Sequence, residues 1–282
     1  MKITVLIENT ASPSSTELHN EHGLSLHVVH KGKSLLFDMG ASDAFASNAN
    51  LLGVDLSSVD AAVLSHHHYD HGGGLSSFLE LNQHAQIYLR NAPDGESYMR
   101  AFWFLKRYIG LDKSLFAAYP ARFIFVDENV EILPDVFIIA KIELSYPKPK
   151  GNQYLYLKKN SQWQLDDFSH ELMLVIREKD GLVIFSGCSH NGMLNMIDTA
   201  NKKFTGLPIK AVIGGFHLIG LPPFNTMGDS KAEIGKIGRQ TLTYPIDAVY
   251  SGHCTGQKAY TVLKDEMSEK LTQLHTGMMI EL

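Results

Sequence analysis

Apolar and polar positions along the chain alternate in short stretches separated by turn residues, which is the period of half-buried strands. Residues 3–7 read as a first strand, and Leu24, Leu26 and Val28 alternate with Ser25 and His27 in a second. A Lys31-Gly32-Lys33 turn then leads into residues 34–38, closing a hairpin. The pattern predicts a helix over 42–52, a short buried strand at 61–64 and another strand at 85–89. Strands at 172–176 and 182–185 flank a turn at 178–181, followed by a helix from about 192 to 203 and a strand at 211–213. A Gly/Pro-rich loop, a helix near 230–241 and a strand at 248–250 complete the series. No internal repeat interrupts it.

Between about 93 and 160 the character changes. Pro93, Pro120, Pro134, Pro147 and Pro149 accompany an aromatic stretch at 98–108 that includes Trp103. Phe102, Leu105 and Ile109 stand at helical spacing, so an amphipathic helix is expected there, packing into a core or, through Arg100, Lys106 and Arg107, forming a lid over an anionic substrate. The whole reads as one domain over residues 1–282 with an insertion at about 93–160. Strands with helices between them argue for a layered α/β domain.

Composition narrows the class. The chain has 282 residues, 44% hydrophobic and 20% charged, which excludes a disordered, collagen-like or coiled-coil protein. The net charge is −5, and no basic run exceeds Lys202-Lys203, so neither nucleic acid nor a membrane surface is an expected partner. No apolar run approaches the ~18 residues of a membrane span, and residues 1–8 are too short for a signal sequence. Two cysteines, Cys188 and Cys254, build no disulfide framework, so a reducing, cytoplasmic setting is expected.

The outlying feature is histidine. There are 14, and four fall in Ser65-His66-His67-His68-Tyr69-Asp70-His71-Gly72-Gly73-Gly74, between a predicted strand and a helix. At this chain's own His and Asp frequencies, His-x-His-x-Asp-His arises by chance about 0.002 times in such a length. In extended backbone residues i and i+2 share a side, so His66 and His68 can present two imidazoles to one metal. As the chain bends, Asp70 and His71 turn towards a second position, with the three glycines permitting positive φ and close backbone approach. His253, after a predicted strand and framed by Gly252 and Gly256, is a further candidate.

With these residues in place the chain resembles the metallo-β-lactamase superfamily. Further segments resemble its methanopterin-synthase-like, dihydropteroate-synthase-related branch: 21–25, 36–40, Ser186-Gly187-Cys188-Ser189-His190-Asn191-Gly192, 214–218 and 251–256. The resemblance implies a four-layer αβ/βα sandwich, two mixed sheets inside and helices outside, with an inserted segment. It implies that His66 and His68 ligate a first metal, and that Asp70, His71 and His253 belong to a second.

The chain departs from the superfamily pattern elsewhere. Cys188 stands where a bridging Asp is expected, either as a small buried residue or as a thiolate ligand suited to zinc. His190 is expected as a ligand, while Asp166, Asp167 and His170 stand where a third His usually lies. His217, after a strand and two glycines, is a candidate for substrate contact, proton supply or ligation, or is an ordinary loop residue. Asp38 matches a buried carboxylate that hydrogen-bonds near the metal loop, unless it merely caps a turn. Glu21 and His22 match the branch without a derivable role.

Two divalent ions about 3.5–4 Å apart activate water for attack on a polarised bond. The implied activity is therefore metal-dependent hydrolysis of a small molecule by a dinuclear centre, catalysed through Asp70 and His217. Zinc is the first choice, with manganese or iron also compatible with nitrogen and oxygen ligands. Metal binding should weaken below about pH 6, where imidazole takes up protons. A pterin-type transferase, condensing a pterin diphosphate with an arylamine, and a non-catalytic ligand-binding sensor are the alternatives.

Overall fold

The alternating N-terminal stretch forms strands because each places one set of β-branched and leucine side chains against a core. The computed structural model describes residues 1–102, 104–221, 224 and 226–282. The chain divides into two units. One comprises Met1–Ala92, Ile109–Val126 and Leu274–Leu282, the other Pro93–Tyr108 and Asp127–Gln273.

The first unit is built on a seven-stranded sheet in the order Met279–Glu281, Lys2–Ile7, Ser25–His30, Lys33–Phe37, Ala61–Val63, Gln86–Leu89 and Phe123–Phe125. Its first four strands pair antiparallel, and from Lys33–Phe37 onward the pairing is parallel. Helices Ala44–Leu51 and Leu75–Leu81 lay Phe45, Ala49, Phe78 and Leu79 against Leu36, Ala62 and Ile87. Burying each large apolar side chain contributes about 1.5–3 kcal/mol, enough to hold two short helices on the sheet. Parallel strands send their carboxyl ends to one side, where open α/β sheets place their sites. Here Asp38 directly follows one such end and Ser65 lies two residues beyond another.

Within this sheet His27 sits buried, its Nε2 2.8 Å from the Ser34 hydroxyl. Burial, with Lys2 nearby, pushes its pKa below the usual imidazole value. Unfolding therefore takes up a proton, so this contribution is present above about pH 6.5 and is lost as pH falls towards the depressed native value. His27→Gln should flatten the fall in urea midpoint between pH 7 and pH 5. An unchanged slope would show that other groups set it.

The second unit holds another seven-stranded mixed sheet, ordered Leu271–Gln273, Ile246–Gly252, Ile209–Gly215, Gly181–Ser186, Met173–Glu178, Val136–Ile139 and Val130–Leu133. The first four strands are parallel and the rest antiparallel. Helix Met193–Lys203 carries Met193, Met196, Ile197 and Ala200 at helical spacing into the core. Helix Lys231–Thr241 starts on Ser230, whose hydroxyl accepts from the Glu233 amide at 3.2 Å. Gln257–Met267 buries Ala259, Leu263 and Met267 on the same side.

The stretch 98–108 is not a helix. Glu96–Ala101 and Leu105–Tyr108 are two strands of an antiparallel hairpin, extended by Leu155–Lys159 and Gln162–Leu165 into a four-stranded sheet. Cross-strand aromatic pairing overrides the apparent helical spacing. Tyr98 packs edge-on against Tyr108 and Trp163, with ring centroids 5.5 and 5.2 Å away, and Arg100 stacks over Trp163. Phe102 lies at the exposed turn with φ 56° rather than in a core, and Trp103 lies outside the described residues. Of the remaining 93–160 stretch, Phe123–Phe125 edges the first sheet, and Val130–Leu133 and Val136–Ile139 edge the second. Among the described residues no helix is long and apolar enough to cross a membrane.

Candidate metal centre

In the first unit the histidine motif follows the strand Ala61–Val63 in extended backbone before entering a short helix at Tyr69–Gly72. The alternation has the expected result. His67 points away and donates from Nε2 to the Arg90 carbonyl at 2.8 Å, while His66 and His68 turn to the other side. His66 Nε2 and His68 Nδ1 stand 3.1 Å apart. Two nitrogens bound tetrahedrally to one zinc at about 2.0–2.1 Å are separated by roughly 3.3 Å, so this pair matches two ligands of a single ion. The His71 ring lies 4.3 Å from that of His66, and its Nε2 is 3.8 Å from Asp70 Oδ2.

Asp38 organises this cluster. It is fully buried at φ 58°, and its carboxylate accepts from the Ser65 amide at 2.7 Å, the Ser65 hydroxyl at 2.8 Å and His71 Nδ1 at 2.6 Å. A proton held on Nδ1 leaves Nε2 as the ligating nitrogen, so the carboxylate sets both tautomer and ring orientation. Ser65, which also meets His66 Nδ1 at 2.9 Å, was not singled out by sequence because a lone serine carries no pattern.

The structure supplies roles for Glu21 and His22. The Glu21 carboxylate accepts from the amides of Ala41 and Ser42 and from the Ser42 hydroxyl, holding the 40–42 loop. His22 Nε2 lies 3.3 Å from Asp70 Oδ2. That loop packs tightly on the glycine run. None of Gly72, Gly73 and Gly74 has positive φ, so conformational freedom is not why they are glycines. A Cβ on Gly73 would lie 2.2 Å from the Ala41 oxygen, and one on Gly74 2.3 Å from the Met39 oxygen. Close backbone approach is the requirement.

The second unit carries its own cluster after the ends of three parallel strands. Cys188, His190 and His217 bring one ligand atom each to within 4.8 Å of one another, and Cys188 Sγ is 3.3 Å from His253 Nε2. All four are buried. Ser189, His217 and His253 turn through left-handed backbone at φ 56°, 44° and 47°. Non-glycine residues held in that region cost about 1–3 kcal/mol each, and such strain concentrates at functional loops.

His190 is clamped from three directions. Its ring stacks on Phe168 at 4.0 Å, Nδ1 donates to Asn152 Oδ1 at 3.0 Å, and its amide donates to Glu171 Oε1 at 2.6 Å. Glu171 is buried and also accepts from the Asn191 amide and side chain. Burial pushes its carboxyl pKa up, against the lowering effect of those N–H donors. Phe168, Asn152 and Glu171 lie outside any recognisable motif, which is why sequence reading passed over them. The ring of His217 packs 4.2 Å from that of His190, and its amide donates to Cys254 Sγ. His217 therefore belongs to this cluster rather than to an ordinary loop. Of the three upstream candidates, Asp166 and His170 form a buried pair at 3.1 Å, whereas Asp167 is exposed.

The donor set is imidazole, carboxylate and one thiol, all buried, which fits a borderline divalent cation. The family model for the metallo-beta-lactamase superfamily matches residues 21–138. A 7,8-dihydropterin-6-methyl-4-(beta-D-ribofuranosyl)-aminobenzene-5'-phosphate synthase from Methanocaldococcus jannaschii is 31% identical, covering 100% of this chain and 96% of its own. A solved metal-dependent hydrolase of the beta-lactamase superfamily is 32% identical with a TM-score of 0.81, covering 100% of this chain and 99% of that one. A metallo-beta-lactamase fold protein from Bacillus subtilis is 16% identical with a TM-score of 0.58, covering 99% and 98%, a likeness of fold alone.

Proposed function

Since the chain belongs to the metallo-β-lactamase superfamily, with that family's α/β fold of mixed sheets and helices, we propose that it is a metal-dependent hydrolase of a small molecule. The observation that carries this reading is the His66–His68 nitrogen pair at 3.1 Å beside His71, whose tautomer Asp38 sets. The family pattern assigns metal ligation to His66, His68, Asp70, His71, His190 and His253, and the Cys188 thiol beside His253 adds a seventh donor. Zinc suits this set best, and manganese or iron also accept it. A bound divalent pair supplies Lewis-acid activation of water and substrate. The chain's own contribution is to hold the imidazoles in one tautomer, to orient the attacking water through Asp70, and to meet the leaving group with His217. A cytoplasmic setting suits a chain whose two cysteines, both buried, form no disulfide.

Purified protein should contain one to two equivalents of a divalent metal by emission spectroscopy. His68→Ala with Asp70→Ala should lower that content and reduce turnover of ester, lactone and phosphodiester substrates by at least a hundredfold, while the circular dichroism spectrum stays that of the parent. Full turnover by metal-stripped protein would defeat the reading. A second reading rests on the 31% identical relative whose name is that of a pterin-linked synthase. In it the same residues activate a pterin diphosphate towards an arylamine. Pyrophosphate release that requires the amine favours the transferase, and release without it favours hydrolysis.

A further inference from the structure

Beside the second unit's cluster lies a cavity of about 190 Å³. Phe216, Leu218, Met193 and Leu194 give it apolar walls, Pro147 and Pro149 of the 146–150 strap close over it, and His217 lines it at the end nearest His190. Five charged side chains border it: Lys148, Lys150, Lys236, Asp229 and Glu233. Lys150 is paired with Asp229 at 2.8 Å, which ties the strap to the loop before helix Lys231–Thr241, and Lys148 donates to the Asp167 carbonyl. Among the described residues no carboxylate lies within ion-pair distance of Lys236, which is exposed on that helix at the cavity's rim. Glu233, one turn earlier, joins Asp229 in holding the Lys150 ammonium charged.

Size and chemistry together narrow the occupant. An apolar cavity of about 150 Å³ accepts benzene, so this one has room for a single ring or a short chain within its walls. Apolar walls favour a ring over a sugar, because each hydroxyl buried against them would lose its water without a partner. The cation at the rim favours an anionic substituent. We infer that this cavity is the substrate subsite, taking a single apolar ring that bears a carboxylate or phosphate-type anion, with the anion at Lys236 and the reacting end at His217. The inference rests on the hydrolase reading for its catalytic meaning, but binding can be measured without turnover.

Calorimetric titration of the metal-containing protein with phenylacetate and acetate, and with benzylphosphonate and methylphosphonate, separates ring from anion and carboxylate from phosphonate. Each ring-bearing probe should bind at least about tenfold more tightly than its ringless partner, from the apolar area buried. Lys236→Met should weaken both ring-bearing probes by about two- to fivefold, the modest loss expected of an exposed cation. Leu194→Trp should fill the cavity and abolish the advantage of the ring. A ring advantage that survives Leu194→Trp, or affinities indifferent to Lys236→Met, would place these anions elsewhere and overturn the inference. Metal content measured on the same samples keeps the two readings apart. Protein that carries no metal yet shows the ring and Lys236 effects upholds the subsite while removing the hydrolase.

Discussion

Gly73→Ala is expected to destabilise this protein severely, by driving a methyl group into backbone on two sides. Its Cβ would meet the Ala41 oxygen at 2.2 Å, the Ala41 carbonyl carbon at 2.5 Å and the Tyr69 oxygen at 2.6 Å. All three are backbone atoms, so relief requires moving the 40–42 loop away from the histidine motif. Glu21 opposes that movement through its hydrogen bonds to Ala41 and Ser42. Overpacking ordinarily costs about 1–3 kcal/mol, and a clash confined to backbone on both sides should exceed about 3 kcal/mol. Gly72→Ala is the control: its Cβ would meet side-chain methyls rather than backbone, Leu111 Cδ2 at 2.7 Å and those of Leu64 at 3.1 and 3.3 Å. Replacing glycine inside a helix also recovers roughly 0.4–1 kcal/mol through the unfolded chain, so Gly72→Ala should cost clearly less than Gly73→Ala. Urea unfolding of both variants decides the matter. Equal midpoints would show that the loop yields freely and that the motif's glycines are not there for close packing.

The second large effect concerns Asp38, and here two substitutions separate folding from ligation. Asp38→Ala strands the Ser65 amide and His71 Nδ1 in a site without solvent, and leaves the Ser65 hydroxyl only His66 Nδ1 as a partner. Each unsatisfied buried group costs about 1–3 kcal/mol, so a total loss of roughly 3–5 kcal/mol is expected in denaturant titration. Asp38→Asn keeps the shape and can still accept from the Ser65 amide. Its amide NH₂ would face His71 Nδ1, however, and favour the tautomer whose proton sits on Nε2, the nitrogen needed for a metal. Stability should fall much less than in the alanine variant, while metal affinity drops about 10–100-fold. If Asp38→Asn binds metal as tightly as the parent in a chelator competition, the carboxylate is only a structural fastener.

These two residues also show how unevenly the molecule can be read from its sequence. The histidine run was legible because strand periodicity is local: residues 66 and 68 share a side and residue 67 does not, whatever the rest of the chain does. The glycine run is legible too, though of its two expected reasons only close backbone approach holds. Its φ values are ordinary, and the constraint comes from Ala41 and Met39, which lie some thirty residues earlier. The aromatic stretch 98–108 failed in the opposite direction, because Phe102, Leu105 and Ile109 happen to fall at helical intervals. Pairing with Leu155–Lys159, more than fifty residues away, settled it as a hairpin. Glu171, Asn152 and Phe168 were invisible because each acts on His190 through a contact with no sequence spacing to mark it.

The chain's own order of residues thus determined the α/β class, most strand and helix positions, and the side chains able to bind a cation, since all of these follow from patterns spanning a few residues. Tertiary structure alone decided that His217 joins Cys188 and His190, that Asp38 holds His71 in one tautomer, and that a ring-sized cavity opens beside His217. Within each unit those outcomes depend on loops from separate strands turning through strained backbone to meet beyond the ends of that unit's sheet. Local propensity has no means of encoding where two distant turns will coincide. Only the packing of the sheets beneath them does.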